Sequence, residues 1–363
     1  MNLLLRLLVG LARWTLGLFA VLLVLAALYV SLGRGLVPLF AEYRVAIQQR
    51  AADALRAPLA IGRLEGGWQG MVPELVAHDV LVGEGNDVLR LDQVRLRPDL
   101  LGSLLHWQPR LAGLTVSGLQ LVVRQNADGR WHAQGLPRQE NTGELDPEHW
   151  LRQLRRFPQV AVIDSQLVLH AHAAQPLSLN YLNLSLTGSG EQHRLDGSVL
   201  LPDGQPVTWQ WNSRLRPEAW RDAQLDLYLR LPQSDWSRWL PAGLTGNWQV
   251  QRLRGGGEVW LEWAERDLRH AVARLNAPQL HVAYAEREAL QLGNLALKLY
   301  YQRTAQGRRL FVESLAVTLG EQRWGPAQGL LDERADGWQL SADRLDLAPL
   351  AQGVRALAPL PEK

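Results

Sequence analysis

Leu89-Arg90-Leu91-Asp92-Gln93-Val94-Arg95-Leu96 is the stretch on which the reading of the whole chain turns. Leu89 and Leu91 are two apart, a step of three follows, and Val94 and Leu96 are again two apart. A period of two describes a strand with one apolar face. A step of three turns that face over unless one residue bulges out, so a β-bulge is expected at the interruption. Bulges bend a strand and add right-handed twist. The same spacing returns at Leu75, Ala77, Val80 and Val82, and at Leu114, Val116, Leu119 and Leu121. It recurs at Leu177, Leu179, Leu182 and Leu184, at Leu290, Leu292, Leu295 and Leu297, and at Leu310, Val312, Leu315 and Val317. Intervening positions carry Arg90, Arg95, Gln120, Ser178, Asn183 and Lys298, which suit a wet face. The expected fold is mainly β: a long, strongly twisted antiparallel sheet forming an open apolar groove, with few short helices and one N-terminal transmembrane helix.

Between these runs lie turn signals. Asp128-Gly129, Asp203-Gly204 and Asp336-Gly337 read as hairpins, and Asp164, Asp203 and Asp336 as turn aspartates that bond their own backbone. Helical islands are expected at Pro98–His106, Pro147–Phe157 and Gln233–Leu240. Leu39, Tyr43, Ile47, Ala51 and Leu55 recur every four residues, so Pro38–Ala57 reads as an amphipathic helix. That helix can plug the end of the sheet or lie on a membrane surface. The segment 137–144 is polar and aperiodic, a loop or linker. It leads to Trp150, Leu151, Leu154 and Phe157, opposed by Arg152, Arg155 and Arg156. This basic amphipathic helix can cover the sheet or meet anionic lipid, which makes the three arginines candidate membrane-surface residues.

The N-terminal region differs from the rest. Trp14 to Leu32 is nineteen residues without a charge, and about 20 such residues cross a bilayer as a helix. Arg6 and Arg13 precede it, which places the N-terminus on the cytoplasmic side. A cleaved signal peptide would carry a shorter apolar core and a small-residue cleavage site, so an uncleaved anchor is expected. The 363 residues include no cysteine, which removes disulfides, thiolate metal sites and a thiol nucleophile. The formal charge of +2 and scattered arginines give no footprint for nucleic acid.

Chemistry is hard to find. Phosphate-loop, nucleophile-elbow, zinc-helix and dinucleotide motifs are all absent. Gly255, Gly256 and Gly257 lie between strand-like runs with no helix following, which reads as a turn or bulge. His170, His172 and His193 form the one metal-like grouping, and exposed strand histidines explain them more simply. No catalytic residue, metal site or cofactor is expected, and the sequence argues against an enzyme.

Ile61-Gly62-Arg63-Leu64-Glu65-Gly66-Gly67-Trp68-Gln69-Gly70-Met71-Val72-Pro73-Glu74-Leu75 closely resembles the start of YhdP-family proteins, within the wider AsmA-like group. The segment Leu89–Pro137, with Asp99-Leu100-Leu101 and Asp128-Gly129-Arg130-Trp131, resembles the same group's module, and Gly257-Glu258-Val259-Trp260-Leu261-Glu262-Trp263 also fits. The resemblance implies a single-pass anchor in the bacterial inner membrane, a periplasmic β groove, and phospholipid transfer toward the outer membrane. It implies phospholipids, the inner membrane and envelope proteins at the outer-membrane side as partners. Family members are much longer, so an N-terminal portion is expected here. The organisation that follows is a cytoplasmic 1–13, an anchor 14–32, an amphipathic helix 33–57, a first module 58–136, a linker and basic helix 137–158, and an extended groove segment 159–363. Groove candidates are Leu89, Leu91, Val94, Leu96, Leu114, Val116, Leu119, Leu121, Leu179, Leu182, Leu295, Leu297, Leu315 and Val317. Strand alternation equally fits an envelope scaffold whose leucines fill a closed core.

Overall fold

A computed structural model describes residues 44–55, 57–69, 72–85, 87–108, 110–126, 130–135, 158–171, 176–239, 248–284, 289–334 and 337–344, and the isolated positions 19, 23, 24 and 27. Helix α1 is Arg44–Leu55, followed by β1 (Leu59–Gln69), β2 (Val72–Glu84) and β3 (Asp87–Pro98). The short helix α2 (Leu100–His106) then leads to β4 (Leu111–Ser117), β5 (Gln120–Gln125) and β6 (Trp131–Ala133). Next come β7 (Gln159–His170), β8 (Leu177–Ser189), β9 (Gln192–Leu200), β10 (Pro206–Arg214) and β11 (Gln224–Asp235). The series ends with β12 (Trp248–Ala264), β13 (Asp267–Tyr284), β14 (Leu290–Thr304), β15 (Gly307–Leu319), β16 (Gln322–Arg334) and β17 (Gly337–Ala342). All seventeen strands join one sheet.

Neighbours pair antiparallel except at one junction, where β4 and β5 both run parallel to β7. The sheet is therefore mixed, which corrects the purely antiparallel expectation. The connection through 136–157 brings the chain back to start β7 alongside β4, and the meander resumes from there. Hairpin chemistry explains the rest. Glu265 and Arg266 both have positive φ in the two-residue loop between β12 and β13, the backbone twist that such loops need. Gly204 (φ 80) follows Asp203, whose Oδ1 accepts from the Gln205 N–H.

The step-of-three positions form a crease. Gly62, Asp79, Asp92, Gly118 and Asp164 fall in register across β1, β2, β3, the β4–β5 break and β7. Asp79 (φ 53), Gly118 (φ 64) and Asp164 (φ 49) are left-handed there, as are Tyr181 in β8 (φ 51) and Asn294 in β14 (φ 48). From β1 to β3 the register continues across the crease without gaining a residue. Neighbouring strands kink opposite one another, so the expected bulges are here matched turns of both chains. Register shifts do occur at β7–β8, β8–β9, β14–β15 and β15–β16. Asp164 consequently lies inside a strand and not at a turn.

The glycine run meets the bulge half of its turn-or-bulge reading, and one helical island changes. Gly255, Gly256 and Gly257 are inside β12, with register shifts at Leu231/Ser234 and Arg254/Gly256 beside them. A Cβ on Gly256 would lie 2.5 Å from the Pro232 carbonyl oxygen, so close backbone approach explains the residue. The helical island expected from Gln233 is mostly strand, since β11 runs to Asp235 and only the 3-10 turn Trp236–Arg238 follows. A further 3-10 segment, Pro217–Asp222, was not anticipated. Among the described residues no helix is long and apolar enough to cross a membrane. The expected anchor lies almost wholly outside the described residues, as do the 147–157 helix, with Arg152, Arg155 and Arg156, and the loops at Asp128 and Asp336.

Helix α1 packs on the edge strand. Ile47 joins a core of Ala57, Ile61, Leu64, Ala77, Val80, Val82 and Leu89. Arg44 Nη1 donates to the Ile61 and Gly62 carbonyls, and the Ile61 N–H donates to Gln48 Oε1. These bonds occupy backbone groups on the side of β1 that has no strand neighbour, which is how an edge is kept from pairing elsewhere.

Candidate functional site

The register builds one surface from fifteen of the seventeen strands, all but β5 and β6. Leu64, Ala77, Val94, Val116, Val162, Leu184, Gly197, Trp209, Leu229, Val259, Ala273, Leu299, Val312, Gly329 and Ala342 are paired successively from β1 to β17. None of the fifteen carries a polar side-chain atom except the indole N–H of Trp209. Two residues along each strand a second unbroken row runs Gly66, Leu75, Leu96, Leu114, Val160, Leu186, Leu195, Trp211, Leu227, Leu261, Ala271, Tyr301, Leu310, Leu331 and Leu340. Fourteen strand spacings of roughly 4.8 Å make each row about 67 Å long, and the rows lie about 7 Å apart.

Burial distinguishes these rows from a core. Only Leu64 and Ala77 are buried; from Val94 onward the first row is half-buried until Ala342, which is exposed. No residue of the second row is buried, and Leu340 is 65% exposed. A contiguous apolar surface of this extent is far above what scattered surface leucines produce and marks a place of interaction.

The buried clusters centre across the crease, toward one margin of the sheet, and reach into the first row: Leu64 and Ala77 belong to the first cluster, Val94 packs against it, and Leu184, Trp209 and Leu229 pack against the second. The first is the α1 core described above. The second gathers Leu182, Val199, Leu201 and Val207 under Trp236 and Trp239. There Trp236 Nε1 donates to the Gly255 carbonyl at 2.7 Å, and Ser234 Oγ donates to the Asp203 carboxylate. The third comprises Leu290, Val317 and Leu319 with Trp324 against them. One long margin is thus closed at intervals, the first row packs in part against the clusters, and the second row meets them only at Leu75.

The groove candidates divide along this line. Val94, Leu96, Leu114 and Val116 fall in the through-rows, and Val94 also packs against the α1 core. Leu89, Leu91, Leu119 and Leu121 belong to the α1 core, Leu179 and Leu182 to the second cluster, and Leu295 and Val317 to the third. Leu297 and Leu315 pair with each other beside the first row. No row residue beyond β4 is among the candidates; β9–β13 lack the step of three that drew attention elsewhere. The available signal was plain alternation: Val207, Trp209, Trp211 in β10 and Leu225, Leu227, Leu229, Leu231 in β11. Gly197 is also required, since a Cβ there would lie 2.1 Å from the Trp209 indole.

The opposite face is polar in the first strands and mixed in the later ones. Tyr228, Trp260, Val272, Tyr300 and Phe311 are paired in succession on it, with Arg274 stacked 5.3 Å from the Trp260 ring centre. Tyr228 Oη donates to Glu258 at 3.1 Å and Tyr300 Oη donates to Glu313 at 2.6 Å. The Tyr300 hydrogen bond holds the Glu313 carboxyl below its ordinary range. His170, opposite Arg124, and His193, opposite Ser213, stand at different ends of their strands, and His172 lies outside the described residues. Among the described residues no three His, Cys, Asp or Glu side chains are placed to hold a metal ion.

A single long sheet with three buried clusters toward one margin and a half-buried apolar strip beside them defines an extended β protein with one apolar face. The sequence model of the YhdP protein family matches residues 1–363, and the chain belongs to that family. It is 25% identical over 370 aligned residues to the intermembrane phospholipid transporter YhdP of Escherichia coli strain K12, covering 93% of this chain. The chain spans about a quarter of that relative's length, 27%. No solved structure matches it.

Proposed function

We propose that this chain is a membrane-anchored, non-catalytic conduit that carries phospholipid acyl chains along the through-rows, from the bacterial inner membrane across the periplasm toward the outer membrane. The observation that carries the reading is the pair of unbroken, half-open apolar rows running the length of the sheet. An acyl chain of about 16 carbons exposed to water costs about 12 kcal/mol, at roughly 0.8 kcal/mol per methylene. A strip of leucine, valine and tryptophan two rows wide shelters such a chain while the headgroup remains wet. Since consecutive positions are similarly apolar, sliding meets low barriers, and direction must come from a gradient or a partner. Likeness to a relative named as an intermembrane phospholipid transporter supports the substrate class. The apolar run 14–32 supports the anchor.

The test is a photo-crosslinking amino acid placed along the first row, at Val116, Leu229 and Leu299, in cells labelled with radioactive phosphate. Crosslinked phospholipid is expected at all three, and its loss at Leu299 is expected when Val259→Arg interrupts the row upstream. Absence of lipid adducts at every position overturns the proposal. The same face would then belong to an envelope scaffold, for which the three packed cores are the supporting observation.

A further inference from the structure

The link from β3 to β4 is a rigid projection with a bare apolar tip. Asp99 caps α2 by accepting from the Gly102 N–H at 2.8 Å, and the Asp99 N–H donates to the Arg110 carbonyl at 2.9 Å. Ser103 Oγ donates to the Asp99 carbonyl and accepts from the Arg110 N–H at 2.8 Å, while the Gln108 N–H donates to the Ser103 carbonyl. The base is therefore tied to itself at both ends. On this base Leu105 is 77% exposed and Trp107 is 87% exposed, the barest large apolar side chains among the described residues. Trp107 ends the helix at φ 51, a left-handed position that ordinarily selects glycine. Local physics thus disfavours tryptophan here twice, through its backbone, where the cap N–H bond to the Ser103 carbonyl is available to any residue, and through its hydration.

We propose that this tip inserts into the interfacial layer of a phospholipid bilayer. Tryptophan concentrates at that depth because its ring is apolar and its N–H needs a partner. Arg110 supplies a cation beside the tip, its Nη1 3.5 Å from His106 Nδ1, while the Asp99 carboxylate is turned into the helix cap. The position fits as well. Pro98 and Leu111 pair one step beyond Leu96 and Leu114, so α2 stands at the open margin of the strip, on the third and fourth strands from the edge that α1 covers. A bilayer touched there meets the open long margin of the through-rows, two to three strands from their β1 end. Two side chains hold a membrane weakly alone and effectively when the chain is already tethered to it. The inference rests on the membrane-anchored reading for the bilayer involved and adds the contact through which lipid would enter.

The chain has no cysteine, so Trp107→Cys and Leu105→Cys each give one labelling site at an exposed position. The full chain, carrying an environment-sensitive fluorophore at either site, is reconstituted into phosphatidylethanolamine–phosphatidylglycerol vesicles containing a nitroxide lipid spin-labelled near the headgroup. A tip lying roughly 5–10 Å into the headgroup–acyl boundary should be quenched about three-fold more than the same probe at Trp338→Cys, on the far edge strand. Equal quenching at 107 and 338 overturns the proposal. A blue-shifted probe indifferent to the nitroxide also overturns it, and assigns the tip to a protein surface. Lipid crosslinking along the first row without quenching at the tip leaves conduction standing and removes this inference. Quenching without crosslinking does the reverse.

Discussion

Gly118 stands directly across from Asp92 at the crease, so close that a Cβ on the glycine would lie 2.0 Å from Asp92 Oδ2 and 2.7 Å from its Cβ. The glycine is left-handed at φ 64 and the strand on either side of it is regular. One position thus supplies both the turn of the chain and the room for its neighbour, and the leucines on both sides of it return to one face.

Gly118→Val combines a backbone conformation disfavoured by roughly 1–2 kcal/mol with overpacking of similar cost. A loss of about 2–4 kcal/mol is expected, read as a lower midpoint in urea. In a Gly118→Ala background, Asp92→Gly should restore part of the loss, because only the steric share is removed.

If the strip is open and the clusters are closed, equal truncations should cost unequal amounts. Val80 is 4% exposed and sits in the α1 core, whereas Leu261 is half-buried on the second row. Val80→Ser is expected to cost about 2–4 kcal/mol and Leu261→Ser about 1 kcal/mol, since burial energy scales with area removed from water. Comparable losses in chemical denaturation would mean that the strip is packed.

Removal of the edge cap has a local signature. Arg44→Ala with Gln48→Ala leaves the Ile61 N–H and the Ile61 and Gly62 carbonyls without their side-chain partners, at about 1 kcal/mol, since water can reach these partly exposed groups. Faster amide exchange at Ile61 than at Val80 is expected, together with self-association at high protein concentration.

The Tyr300–Glu313 pair sets a pH dependence. Glu313 is lowered chiefly by the Tyr300 hydrogen bond, then by Lys298, while Tyr300 is raised by the same bond. A carboxylate lowered in the folded state adds stability that is complete above its unfolded value, about 4.3. That stability is lost as pH falls through the lower folded value. Tyr300→Phe should therefore move the Glu313 titration upward in a carboxyl NMR experiment and flatten the acid limb of the stability curve. The site is exposed, so the effect on global stability will be small.

Several features were readable without coordinates because they are local. Leu89, Leu91, Val94 and Leu96 announce a strand whose apolar face survives an interruption, and Asp99 ahead of Leu100 announces a capped helix. The manner of the interruption was less readable. A matched kink at Asp79 and Asp92 and an inserted residue at β8–β9 leave the same spacing in a single strand, and pairing alone tells them apart. The parallel junction was hidden for a similar reason: Val116 and Val162 carry no mark of the direction in which they will pair.

Alternation and the absence of catalytic motifs are properties of the one-dimensional chain, and by themselves they determined that this protein is a long, one-faced β structure. Which apolar residues become core and which remain a strip was decided only in three dimensions. Leu89 is buried because α1 and Val80 reach the same cluster, while Leu96, in the same strand, has no such cover. The two rows themselves depend on the registers of every strand pair in succession, and register depends on hairpin lengths and kinks distributed along the whole chain. Periodicity fixes the side of the sheet on which a residue stands; its neighbours and its cover come from segments distant in the chain.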